Sequence, residues 1–277
     1  MYALAREEFE RVLTRSDLNE LERLVAAVDP QPRRRWRCLS YCILDAVWTM
    51  GAPHDTVVVP LVHRVAHEHG DDTPLLPPGE PPPEDSMSLW PFLSRFSEKN
   101  PLTGYTNAQR TSPYGALKAD VAQEHARVLL DHGIQTVHDI EPLMDNRRWF
   151  PHVNATLAQL PGDGRHGTRR SYLWMLAGDT ERVRPDHLVL RWFTRYGLNL
   201  SPISAHFLMY ILAARRTETG QPSTVWEVNH AIWTAERSSS ASADASTAAS
   251  AASAQTPTPS QLQHRLDQLG TTPSKPS

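Results

Sequence analysis

The chain has little cysteine: Cys38 and Cys42 are the only two in 277 residues. Two thiols four positions apart exclude a disulfide framework and cannot complete a four-ligand metal or iron–sulfur set. They fit a reducing compartment, as small buried apolar groups on one helix. No apolar run reaches membrane-spanning length, and Met1 to Leu18 is charged throughout, which argues against a secretory leader. A soluble, cytoplasmic protein without membrane contact is expected. Strand signals are scarce: Val57 to Leu61 is a short β-branched run, and helical patterns surround it. There is no overall basic excess, since the formal net charge is −3. His63, His67 and His69 invite a zinc reading, because His63 and His67 lie one helical turn apart. No Glu follows His63, so the H-E-x-x-H pattern is not met, and no metal or other cofactor is expected.

What the sequence does contain is helix. Leu4 to Ala27 is a charged amphipathic region, and Asp29 to Pro32 breaks it, which defines an N-terminal helical extension over 1–32. Arg33, Arg34, Arg35 and Arg37 lead into Cys38 to Met50, the most apolar helix. Those arginines either touch phosphate or simply flank a helix start. His54 to Gly70 forms another helix. Asp71 to Ser88 is acidic and proline-rich, a flexible or polyproline loop inside one domain, because apolar helices resume at Leu89. Ser94 to Pro113 is polar and irregular. Phe207 to Arg216 and Val225 to Arg237 are the last helices, with Trp226 and Trp233 on one packed face. Trp174, Trp192 and Trp233 read as core. From Ser238 the chain is Ser, Ala, Thr, Pro and Gln without aromatics, so a disordered tail is expected over 238–277, with a transient helix at Gln261 to Leu269. The fold class is all-α: ten or so helices in two lobes with a cleft between them, the main domain spanning 33–237.

The segment Leu160 to Gly197 carries the functional signal. Gly162 and Gly164 bracket Asp163 after Pro161, a tight turn that lets backbone approach a ligand. Thr168 to Ala177 then reads as a helix, with Tyr172, Leu173, Leu176 and Ala177 at helical spacing. A glycine turn that opens a helix aims free N–H groups forward, a natural phosphate site. Arg165, Arg169 and Arg170 add guanidinium groups there. Such a turn also serves simply to let two helices cross. Between Leu160 and Arg216, nine arginines stand against four carboxylates, a local excess that suits a polyanion or an arginine-rich solvated surface. Asp186 sits after Pro185 at the mouth of the next helix. It can cap that helix with one oxygen and face a ligand with the other.

Leu160-Pro161-Gly162-Asp163-Gly164-Arg165-His166-Gly167-Thr168 resembles the hairpin of the helix-hairpin-helix DNA glycosylases of the endonuclease III type, L-P-G-v-G-x-x-T-A. Asp186, Val189 and Arg191 fall in step with that family's D-T-H-V-x-R, although His187 stands where the family has Thr. Tyr196-Gly197-Leu198 is similar to its R-L-G-L ending. Tyr114-Gly115-Ala116-Leu117-Lys118-Ala119 resembles its y-n-x-K-A helix start. The likeness runs from Trp36 to Arg237 and is strongest from Leu117 to Leu198. Three departures stand out. No Lys lies between Leu160 and Arg191, so the amine that attacks the sugar in bifunctional members is missing. The four-Cys iron–sulfur loop is absent. The hairpin also holds extra residues at His166 and Gly167.

The resemblance implies a DNA-binding protein that grips the duplex backbone. Gly162, Gly164, Arg165, Gly167, Thr168, Arg169 and Arg170 would be at the hairpin, with Gln109, Arg110 and Lys118 nearby. It implies at most a monofunctional DNA N-glycosylase. A glycosidic bond breaks through an oxocarbenium-like transition state, which a carboxylate such as Asp186 can stabilise or attack through water. The alternatives are a non-catalytic DNA-binding or structural module that keeps the fold, and an all-α scaffold with no nucleic-acid role.

Overall fold

A computed structural model describes residues 15–28, 35–77, 80–84, 87–164, 167–183 and 185–239. The fold is all-α apart from one two-residue ladder, β1 (Arg35–Trp36) antiparallel to β2 (Leu75–Leu76). The helices are α1 (Arg15–Ala26), α2 (Leu39–Thr49), α3 (Val59–His69), α4 (Leu89–Arg95), α5 (Lys118–Asp131), α6 (Ile140–Asp145), α7 (Trp149–Leu157), α8 (Thr168–Ala177), α9 (His187–Arg195), α10 (Pro202–Glu218) and α11 (residues 225–239). The β-branched run near Val57 is helical: His54–Val58 form one π-type turn that feeds α3.

Two hydrophobic cores divide these elements. In the first, α2 is the axis. It is apolar all round, so it is buried on every side from Leu39 to Trp48. It packs against α5 and α8, and α3 and α4 close the remaining sides. Asp45 is the polar pin of this lobe. Its carboxylate accepts bonds from Trp36 Nε1 at 2.7 Å and Thr49 Oγ1 at 2.7 Å, and lies 3.3 Å from His54 Nε2. That carboxylate holds the His54 pKa above its ordinary value. Cys38 and Cys42 are fully buried, as small apolar groups should be. Trp174 also lies in this core.

The second core gathers Leu18, Leu21 and Val25 of α1 with Val189, Trp192 and Phe193 of α9, the inner face of α10, and Val225, Val228 and Ile232 of α11. Within the expected N-terminal extension, α1 is therefore part of the second core. An amphipathic helix needs a partner for its apolar stripe, and α1 finds it 190 or so positions later, where Arg215 bonds Asn19 at 2.6 Å and Glu22 at 3.3 Å. Trp226 and Trp233 pack partly buried on this core, stacked to either side of His230.

The proline-rich stretch is anchored more firmly than its composition suggests. Arg37 donates its backbone N–H to Pro74 at 2.9 Å, Asp71 is buried beside Arg37, and Ser40 Oγ bonds the carbonyl of the buried Met87 at 2.8 Å. Positions 78–79 and 85–86 lie outside the described residues, as does the sequence beyond 239, where the expected disordered tail falls.

Candidate nucleic-acid interface and interlobe cleft

The glycine turn lies between α7 and α8 as the sequence suggests, but Arg169 and Arg170 face inward. Gly162 and Gly167 hold φ of 78° and 73°, in the left-handed region. A side chain on Gly162 would collide with Arg169 Nη2 and come within 2.8 Å of Thr111. Arg169 is 1 % exposed and donates from Nη1 to Pro161 O at 2.5 Å, so it ties the turn from beneath. Burial lowers its pKa to about 10, partly offset by Asp163. Arg170 bonds the Asp163 carboxylate at 3.0 Å and Asn154 O at 2.7 Å. Thr168 opens α8 with its Oγ1 close to Gly164. Arg165 and His166 lie outside the described residues.

A second segment, far away in sequence, meets this turn. Arg110 and Leu117 form an isolated antiparallel bridge, and Thr111 N–H donates to Ala116 O at 3.0 Å. The tight loop so formed lays Thr111 against Gly162. Its polar side chains also serve the fold. Gln109 Nε2 donates to Gly51 O at 3.2 Å, and Arg110 Nη1 donates to Gly115 O at 2.8 Å from an exposed position. Lys118 is buried at the start of α5, and its ammonium donates to Trp48 O at 3.1 Å and Met50 O at 2.7 Å. It thereby satisfies carbonyls left open at the end of α2. Burial, with Arg169 as a nearby cation, lowers its pKa to about 8. At the tip of the loop Tyr114 is fully exposed. Its signal in the sequence is the Ser-Pro-Tyr-Gly turn, which lifts an aromatic ring into solvent on a short rigid arm.

Among the described residues, carboxylates from outside the 160–216 window offset part of its arginine excess. Arg182 pairs with Asp179, Arg191 and Arg195 both pair with the buried Glu236, and Arg215 pairs with Glu22. Carboxylates from α1 and α11 meet cations that sequence counting leaves alone. Of the early arginines, Arg37 pairs with Asp71, and Arg33 and Arg34 lie outside the described residues. His67 pairs with Asp72, and His63 packs edge-on against Trp36.

Asp186 stands at the crossing from the first lobe to the second. Its Oδ1 accepts the N–H groups of Leu188 at 2.9 Å and Val189 at 3.1 Å, which caps α9. Its second oxygen takes no hydrogen bond among the described residues, and the side chain is only partly buried. Pro185, the residue before it, lines an open cleft of about 240 Å³. Ser171 of α8, Arg182 and Val183 of the crossing segment, and Pro202, Ile203, His206 and Phe207 of α10 form the other walls. This cleft is invisible in sequence because its walls lie up to 36 positions apart. Its α10 wall also precedes the start expected at Phe207. Pro202 occupies the first turn of α10, where its missing N–H costs nothing.

The geometry defines a class: a two-lobed, all-α chain with a glycine hairpin in one lobe and a capped, half-open carboxylate between the lobes. The chain belongs to the family described as a domain of unknown function, DUF8548, whose model matches residues 16–237. That span takes in α1, in keeping with its place in the second core. No curated protein and no solved structure matches the chain.

Proposed function

We propose that this protein binds DNA and receives a nucleotide base in the interlobe cleft, acting at most as a monofunctional N-glycosylase through Asp186. The observation that carries the reading is the division of labour on Asp186, one position after the cleft-lining Pro185: one oxygen holds the helix, and the other takes no hydrogen bond among the described residues. In that reading the open oxygen stabilises positive charge as the C–N bond to the base breaks, or orients the water that forms the new C–O bond. A lyase step is not part of it. Lysine occurs only at Lys99, Lys118 and Lys275, and the Lys118 amine is engaged by two carbonyls under the hairpin. Tyr114 stacks on an unpaired or partly unstacked base. The hairpin offers phosphate its glycine backbone, since Arg169 and Arg170 are held within the turn.

The test is binding of duplex and single-stranded DNA across a salt series, together with base release from oligonucleotides carrying damaged bases, for wild type and Asp186→Asn. Affinity that falls with salt, with base release lost in Asp186→Asn, supports the reading. Absence of any salt-dependent affinity removes it. A second reading, a DNA-binding module without catalysis, is favoured by the inward-facing cations, which leave the hairpin with a mainly structural role. It predicts salt-dependent binding and no base release from either protein.

A further inference from the structure

His206 is the least explained polar group in the cleft. Its Nδ1 lies 2.9 Å from the carbonyl oxygen of Val183, an acceptor, so Nδ1 carries the proton. Nε2 is then left with a lone pair, takes no hydrogen bond among the described residues, and belongs to a side chain that lines the cleft. Burial pushes the His206 pKa below its ordinary value, which keeps the ring neutral near pH 7. Arg182 shares the wall. It is held by Asp179 at 3.0 Å and lies 4.4 Å above the Phe150 ring, which fixes a cation with spare donors at the cleft. Apart from Ser171, the remaining walls are apolar: Val183, Pro185, Pro202, Ile203 and Phe207.

A bare acceptor and a cationic donor on one cleft, between mostly apolar walls, are complementary to a flat ring that carries N–H next to C=O. We infer that the cleft takes an uncharged lactam base, with His206 Nε2 accepting its N–H and Arg182 donating to its carbonyl, and that it refuses cationic, N-alkylated bases. A cationic ring would set its charge against the guanidinium of Arg182, a like-charge contact that an uncharged ring avoids. This rests on reading the cleft as a base site, and it assigns His206 the choice of ligand rather than the chemistry.

The test uses the full chain with histidine nitrogens labelled and followed by NMR during titration with uracil, 1,3-dimethyluracil and 7-methylguanosine in its cationic form. Uracil should move the His206 Nε2 resonance. Dimethyluracil keeps both carbonyls and lacks N–H, so it should not. His206→Phe keeps a ring in place and should weaken uracil roughly ten-fold, the size of one good hydrogen bond. Equal response to uracil and dimethyluracil, preference for the cation, or no response to any base up to its solubility limit overturns the inference. These wild-type comparisons stand even if His206→Phe does not fold. DNA affinity is measured on the same preparation. If DNA binds and uracil does not, only this inference falls. If uracil binds and DNA does not, the nucleic-acid reading falls and a small-molecule lactam site remains.

Discussion

The hairpin and the cleft are built from the same residue types and use them in opposite ways. At the hairpin, Arg169, Arg170 and Lys118 point at backbone carbonyls and at Asp163, and hold three chain segments together. At the cleft, Asp186, His206 and Arg182 each hold the fold with one atom and leave another open. Polar groups buried and bonded within the chain stabilise a shape. Polar groups half-completed on rigid elements are available to a ligand. The difference makes the hairpin a scaffold and the cleft a receptor.

The comparison breaks most visibly at Arg169. Arg169→Ala leaves Pro161 O without its donor and a hole beneath Gly162, and should cost about 3 kcal/mol in denaturant unfolding. If stability holds and DNA affinity drops instead, the guanidinium is a phosphate grip and the contrast is wrong. His125, buried in the same lobe, has its pKa lowered by burial to about 4. The unfolded chain therefore binds that proton more readily. Stability is complete above the unfolded value near 6.5 and falls as pH drops toward 4, by about 3 kcal/mol in total. A urea titration at stepped pH measures this, and His125→Leu should flatten the step. Tyr114→Ala tests the outward side of the hairpin lobe: unfolding unchanged, and DNA affinity down roughly ten-fold, as for loss of one stacked base. Asp186 should likewise show little effect on stability. Asp186→Asn keeps an N-cap of equal quality and should shift unfolding by only a few tenths of a kcal/mol, while removing any base release. A large loss of stability there would mean that Asp186 is a structural residue like Arg169.

Much of the fold was legible because it rests on local pattern. The α2 helix is marked by its apolar run, α8 by its spacing after a glycine turn, and the cap at Asp186 by its place after Pro185. Trp174 and Trp192 are buried, as their settings suggest. The direction of a side chain is not local. Arg169 looks like a surface cation until Thr111 and Lys118, some fifty residues earlier, are folded against it. Likewise, Leu18, Leu21 and Val25 show that α1 needs a partner without naming α10. The cleft depends on both kinds of information, a proline at the first turn of α10 and a crossing segment that returns to it. For that reason Asp186 could be picked out from sequence, while His206 and Arg182 could not.

The placement of α1 has a consequence for how the protein is made. The second lobe is assembled from residues 15–28 and from residues beyond 182, so the first lobe is in effect inserted within it. The buried residues of the first core all lie between Trp36 and Ala177, so that core is complete in sequence before α11 is made. Leu18, Leu21 and Val25, synthesised before the first lobe, must wait for Val228 and Ile232, synthesised after it. During that interval the apolar stripe of α1 is the natural site for a chaperone, and a chain truncated before α11 would present it permanently to aggregation.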